Sequence, residues 1–310
     1  MKLKFRPSLL MTAAILLLLP FILPNNYTVD IAIRIALASV AVIGLNFLMG
    51  FAGQISIGHA GFIAIGSYGS AIAAGQYGML PIVSILVAAL GSAIMSWVLA
   101  KPILRLKGHS LTMATLGFGI IVNMVLVNEG AISGGPDGMS VLPLTVGSFT
   151  FAKLGHWYAL AAVLLWVSIW FSLNLYESPA GRALRGLHGS EVAARVVGVD
   201  VSAFKVKAFV ISAVFASISG SLLGHYLGFI SPTFSSFTHS VELATMVVLG
   251  GMASTYGAVL GAALLTLLPQ LFGGLYGYES ILFGLVLMLT MIYLPRGIVP
   301  TLALKFRRSE

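Results

Sequence analysis

The sequence predicts an all-α polytopic membrane protein of about ten transmembrane helices (eight to ten), and three observations carry that prediction. First, 58% of the residues are hydrophobic and 8% charged, too few charges to coat a soluble surface. Second, uncharged runs rich in Leu, Ile, Val, Ala and Gly reach the ~20 residues a helix needs to cross a hydrocarbon core. Third, Lys and Arg gather in short segments between alternate runs, as charge does on the cytoplasmic side. The net charge of +8 is therefore read as a topology signal, and no basic patch with interleaved aromatics points to nucleic acid. With no cysteine, disulfides, thiolate metal sites and Cys nucleophiles are excluded.

Taken in order, the basic start Lys2, Lys4 and Arg6 precedes an apolar run that resembles a signal peptide. Residues 20–27 offer no small-residue cleavage site, so residues 8–23 read as an uncleaved first span entering from the cytoplasm. Residues 25–30 then lie outside. Residues 35–100 hold no Asp, Glu, Lys or Arg, which is room for three spans, and an odd number brings Lys101, Arg105 and Lys107 inside. Span 5 covers residues 110–127. An external loop follows with Glu129, the turn-rich "SGGPDG" of residues 133–138 and Lys153, and span 6 (156–176) returns.

After a charged cytoplasmic segment, span 7 covers 207–230 and "SPTFSSFTHS" forms an external loop. Residues 242–278 are long for one helix and short for two. Two short or broken spans meeting at "LGGMASTYG" keep the tail residues Arg296, Lys305, Arg307 and Arg308 inside, with span 10 at 280–294. Both termini are then cytoplasmic, and every Lys and Arg except Arg34 and Lys153 faces the cytoplasm. The chain reads as a single transmembrane domain over residues 1–310.

Gly220, Gly224 and Gly228 lie four apart on one face of span 7, and Gly257 and Gly261 repeat that spacing in span 9. Such stripes suit close helix packing; a role in permeation is the alternative. "GFAGQISIGHAG" concentrates glycines with Gln54, Ser56 and His59 between spans 2 and 3, just after Asn46. Irregular backbone in a membrane must be buried in protein or wetted by a cavity, so these four polar residues are candidates for a path lining; the alternative is a tight turn at the surface. Glu242 is the one acid placed near a span interior, which makes it a path or capping candidate against simple exposure at the external end.

Residues 178–205 carry Arg182, Arg185, Glu191 and Arg195. Ser178 and Pro179 start a helix, Gly186 and Gly189 end it, Ser190 caps a second short helix at Glu191, and Gly198 closes that one. Glu191 is spaced to pair with Arg195, and Ala193 and Ala194 give the second helix a smooth face. The segment reads either as a helix that docks into a partner's groove or as a solvated loop whose arginines enforce topology.

"EVAARVVGVD" (191–200) resembles the EAA loop of importer-type ABC permeases, with Ala193, Ala194 and Gly198 matching and Val192 separating Glu191 from the alanines. Together with "GLNFLMGFAGQISIGHAGFIAIGSY", "LRLKGHSLTMATLGFG", "SGGPDG", "GRALRGL", "FISPTF", "VVLGGMASTYGAVLGA" and "LPRGI", it is similar, in family order, to the branched-chain amino acid ABC transporter permease family, of the LivM-type subunit. The resemblance implies a bacterial inner-membrane importer with a second related permease, two cytoplasmic ATPases carrying ATP and Mg, and an external binding protein. It also implies that Arg182, Arg185, Glu191, Ala193, Ala194, Arg195 and Gly198 serve ATPase coupling, and that the substrate is Leu, Ile, Val or a similar small amino acid, with amides or urea as alternatives. The chain has no Gly-x-x-x-x-Gly-Lys-Ser/Thr loop, so no cofactor is expected in it and ATP chemistry is expected on its partners. The rivals are a proton-coupled carrier using Glu242 and a His as a proton relay, and an intramembrane enzyme using residues such as Ser110, His225 and Ser240; the latter lacks any catalytic motif.

Overall fold

The computed structural model describes residues 7–271 apart from positions 24, 107 and 148, together with positions 284, 285, 288, 292 and 297–301. Most of span 10 and the basic residues at both ends therefore lie outside the described residues. The elements are α1 (Pro7–Ile22), α2 (Asn26–Asn46, continued by a π-helical turn Phe47–Phe51), α3 (His59–Gly75), α4 (Pro81–Ile103), α5 (His109–Asn128), the short α6 (Gly130–Ser133), α7 (Leu154–Glu177), α8 (Pro179–Gly189), α9 (Glu191–Val196), α10 (Val201–Leu227), α11 (Phe237–Gly250) and α12 (Thr255–Leu271). Among them α2 with its π-turn, α4, α5, α7 and α10 are long and apolar enough to cross a membrane; α1, α3, α11 and α12 are apolar but shorter. The protein is an all-α polytopic membrane protein. Its strands are two residues each: β1 (Met139–Ser140) and β2 (Thr145–Val146), then β3 (Phe149–Thr150) and β4 (Phe229–Ile230). β1 pairs antiparallel with β4, and β2 with β3.

The centre of the bundle is α2, α3 and α10. Ile63 of α3 faces Gly220 and Ser67 faces Gly224, so α3 and α10 run parallel; Gly44 of α2 faces Phe215 while Ser219 donates to the Leu37 carbonyl, so α2 runs antiparallel to them. The approach is backbone to backbone: a Cβ at Gly220 would lie 2.1 Å from the Ile63 carbonyl oxygen. Where water drives nothing together, this loss of bulk is what lets dispersion and Ser-to-carbonyl bonds act, as in the 2.8 Å bond from Ser221 to Gly66. Gly228 departs from the stripe: it ends α10 at φ 70° with no atom within 4 Å of its missing Cβ, so it terminates the helix, and its carbonyl accepts from the Val141 N–H at 2.9 Å.

The long region before span 10 folds as the helical hairpin α11–α12. At 14 residues α11 rises about 21 Å, short of the ~30 Å hydrocarbon core. Cβ atoms at Gly257 and Gly261 would lie 2.5 and 2.0 Å from the Gly250 and Met246 carbonyl oxygens, so the two helices meet as the glycine spacing requires. The intervening turn places Ala253 at φ 61°, a conformation costly for a side chain. Asn46 holds it there. Its Oδ1 accepts from the Ala253 N–H (2.9 Å) and its Nδ2 donates to the Ser254 carbonyl (3.1 Å).

Candidate functional site

A cavity of about 510 Å³ lies between α2, α3, α10, α11 and α12. Most of its wall is apolar, with Ile63, Leu223, Leu243, Met246 and Leu265, but α2 contributes Arg34 and α11 contributes His239 and Glu242. Helical spacing explains the second pair: positions 239 and 242 are three apart and share a face of α11. Glu242 is half-buried at this wall. Arg34 uses its Nε to bond Asp30 at 2.9 Å, and Asp30 also accepts from the Tyr226 hydroxyl. A guanidinium carries five donors, so this bond leaves others uncommitted.

The other four path candidates stand away from this cavity. Asn46 is spent on the α11–α12 turn. His59 is 1% exposed and is bracketed by Ser56 through Nδ1 (2.9 Å) and by Ser212 of α10 through Nε2 (2.5 Å). Residues 53–58 run as irregular backbone between the π-turn and α3, with Gln54, Ser56 and Gly58 buried and Gly53 and Ile55 exposed. Ile57 donates to Thr115 Oγ1 at 3.2 Å, and the Ala60 N–H at the start of α3 donates to Ser240 Oγ at 3.2 Å. Gln54 faces the charged segment, with its Nε2 3.4 Å from Glu191.

That segment folds as its caps dictate. Ser178 Oγ accepts from the Gly181 N–H (3.1 Å) to start α8, Ser190 Oγ accepts from the Ala193 N–H (3.2 Å) to start α9, and Gly198 at φ 83° ends it. Two expectations are corrected. The ion pair formed by Glu191 is with Lys205 of α10, 2.5 Å away, rather than the expected one with Arg195. The smooth face is also divided: Ala194 is buried at 4% exposure and points inward beside Glu191, while Ala193 is exposed together with Val192, Val196 and Val197. At ~100° per residue, positions 192, 193, 196 and 197 share one face and 191 and 194 the other. Periodicity could have revealed these valines; the motif match drew attention to the alanines. Arg195 is exposed. Arg182 donates to the Glu177 carbonyl at 2.9 Å and Arg185 lies 4.1 Å over the Tyr176 ring, so both tie α8 back to the end of α7.

Residues 27–294 match the family described as the permease component of the branched-chain amino acid transport system. The chain belongs to the branched-chain amino acid ABC permease family. It is of the LivM type: it is 34% identical to the high-affinity branched-chain amino acid transport system permease protein LivM of Escherichia coli, over 91% of this chain and 72% of that one. It is 28% identical to the permease protein BraD of Pseudomonas aeruginosa and 25% identical to LivH of Salmonella typhimurium, each over 83% of this chain and 89% of the relative. No solved structure matches the chain. In this branched-chain permease the family match spans both the cavity and the α8–α9 segment.

Proposed function

We propose that this permease imports branched-chain or similar small amino acids across a bacterial inner membrane, as one half of a permease pair with a LivH-like subunit. Its proposed arrangement is a single domain of ten spans, the hairpin α11–α12 supplying two short ones, with both termini cytoplasmic and residues 178–205 forming the cytoplasmic coupling segment. Two ATPases carrying ATP and Mg drive it, and an extracytoplasmic binding protein delivers substrate. The family match over residues 27–294 carries this reading.

Two features support it. The cavity sets Arg34 and Glu242 among apolar walls, a chemistry suited to the carboxylate and ammonium of an amino acid whose side chain is hydrocarbon. Neutral urea or amides would need neither charge. The exposed face of Val192, Ala193, Val196 and Val197 supplies an apolar knob for a groove on an ATPase, with Arg195 at its rim.

The test is co-purification with two P-loop ATPases followed by ATP-dependent leucine uptake in liposomes containing the whole complex, with isoleucine, valine and urea as competitors. Uptake by this chain alone, or no bound ATPase, refutes the reading. Val196→Asp is expected to weaken ATPase association by at least tenfold, the effect of losing an interface anchor. Glu242→Gln is expected to leave association intact and slow leucine uptake by about tenfold.

A further inference from the structure

Three elements converge on one carboxylate. Glu191 of α9 sits 2.5 Å from the ammonium of Lys205, and Lys205 is 3% exposed on the first turns of α10. Gln54, from the irregular segment before α3, brings its Nε2 to 3.4 Å from the same Glu191 oxygen while donating to the Ala52 carbonyl at 3.1 Å. A lysine this deeply buried is retained as a charge only when paired. The covalent connection from α9 to α10 runs through Gly198 at φ 83°, in a turn closed by the Val199 N–H donating to the Ala194 carbonyl at 3.0 Å, so the ion pair adds a side-chain link to this peptide link.

Beyond the junction the structure is stiff. The Ser56–His59–Ser212 bonds tie the start of α3 to α10, and the parallel contact at Gly220 locks the two helices backbone to backbone. That α3–α10 body supplies Ile63, Ser219 and Leu223 to the cavity wall.

We infer that the Glu191–Lys205 ion pair, with Gln54 as its third member, positions the docking helix on the α3–α10 body, so that displacement of α9 reaches the cavity wall through this pair. Lys205 and Gln54 are positioning residues: they act through Glu191 and touch neither substrate nor ATPase. The inference rests on the proposed docking of an ATPase on α9.

The experiment uses the whole importer in liposomes and measures leucine uptake and ATP hydrolysis in the same vesicles. A wild-type chain that recruits no ATPase refutes the proposed function, and this inference with it. With the wild type coupled, Glu191→Gln and Lys205→Met are each expected to keep ATPase co-purification and lower uptake per ATP by about tenfold, within the usual range of coupling between sites. The double variant is expected to be no worse than the more affected single one, because a broken link cannot be broken twice. Lys205→Arg, which keeps the charge, should retain coupling. If the charge-removing variants fail to fold, Gln54→Leu leaves the ion pair in place and is expected to lower the ratio by about threefold, the worth of one hydrogen bond. Unchanged uptake per ATP in Glu191→Gln or Gln54→Leu, or losses that add in the double variant, overturns the inference.

Discussion

Helices α5 and α10 look alike in sequence and behave differently in the fold. Both are long, apolar and nearly free of charge, and both qualify as membrane spans. Yet 56% of the most apolar stretch of α10 is buried inside the protein against 28% for α5. Glycine shows why. Gly220 of α10 presses on the Ile63 backbone, whereas Gly117 of α5 has nothing within 4 Å of its missing Cβ. Ile120, Ile121, Met124 and Val125 of α5 are correspondingly exposed. Hydropathy measures transfer out of water, and a lipid-facing Leu and a protein-facing Leu satisfy it equally. What separates the two helices is how much of each a second backbone approaches: α10 meets Gly44 of α2 and both Ile63 and Gly66 of α3, whereas α5 is approached where Gly58 abuts Thr115 and Gly119.

Four substitutions sharpen or break that contrast. The largest effect is expected from Gly220→Val, whose Cβ collides with a carbonyl that no rotamer change can move; the cost is ~3 kcal/mol or more, read as loss of a monodisperse folded complex. If Gly220→Val folds normally, the parallel α3–α10 contact is not what holds the centre together. Ile121→Arg on the exposed face of α5 is next, at about 2.5–3.5 kcal/mol of insertion cost near mid-span, seen as reduced membrane yield. Its tolerance would show that this face meets water or a polar partner instead of lipid. Asn46→Ala should cost ~2 kcal/mol by orphaning Ala253 N–H and the Ser254 carbonyl, with faster proteolysis at the α11–α12 turn and a lower unfolding temperature. Smallest is Gly117→Ala, expected within about 0.5 kcal/mol of the parent in the same thermal assay.

Much of this architecture was legible because its causes are local. Span limits follow from apolar length, so the expected span at residues 110–127 and helix α5, His109–Asn128, nearly coincide. The division of residues 178–200 at Ser190 follows from two serine caps and a left-handed glycine. Other features depended on which element arrives from elsewhere. In sequence Lys205 is one more of the lysines placed on the cytoplasmic side, and only the packing of α9 and residues 53–58 against α10 buries it. Arg34 read as an exception to the charge rule, and the cavity explains its place. The inward turn of Ala194 and the outward turn of Val192, Val196 and Val197 needed a bundle surface to define inside and outside.

The sequence alone determined that the chain lives in a membrane, roughly where its helices lie, how its charged segment is capped and which family it resembles. Each of these rests on composition, spacing or short-range hydrogen bonding that neighbouring residues complete among themselves. Only the tertiary structure decided that α3 and α10 meet in backbone contact, that Asn46 and His59 are committed to holding helices together, and that Glu191 answers to a lysine fourteen positions away instead of the arginine four positions on. Burial sets those choices. In a low-dielectric interior a polar group goes to whichever partner the fold brings within reach, and sequence distance does not enter that energy.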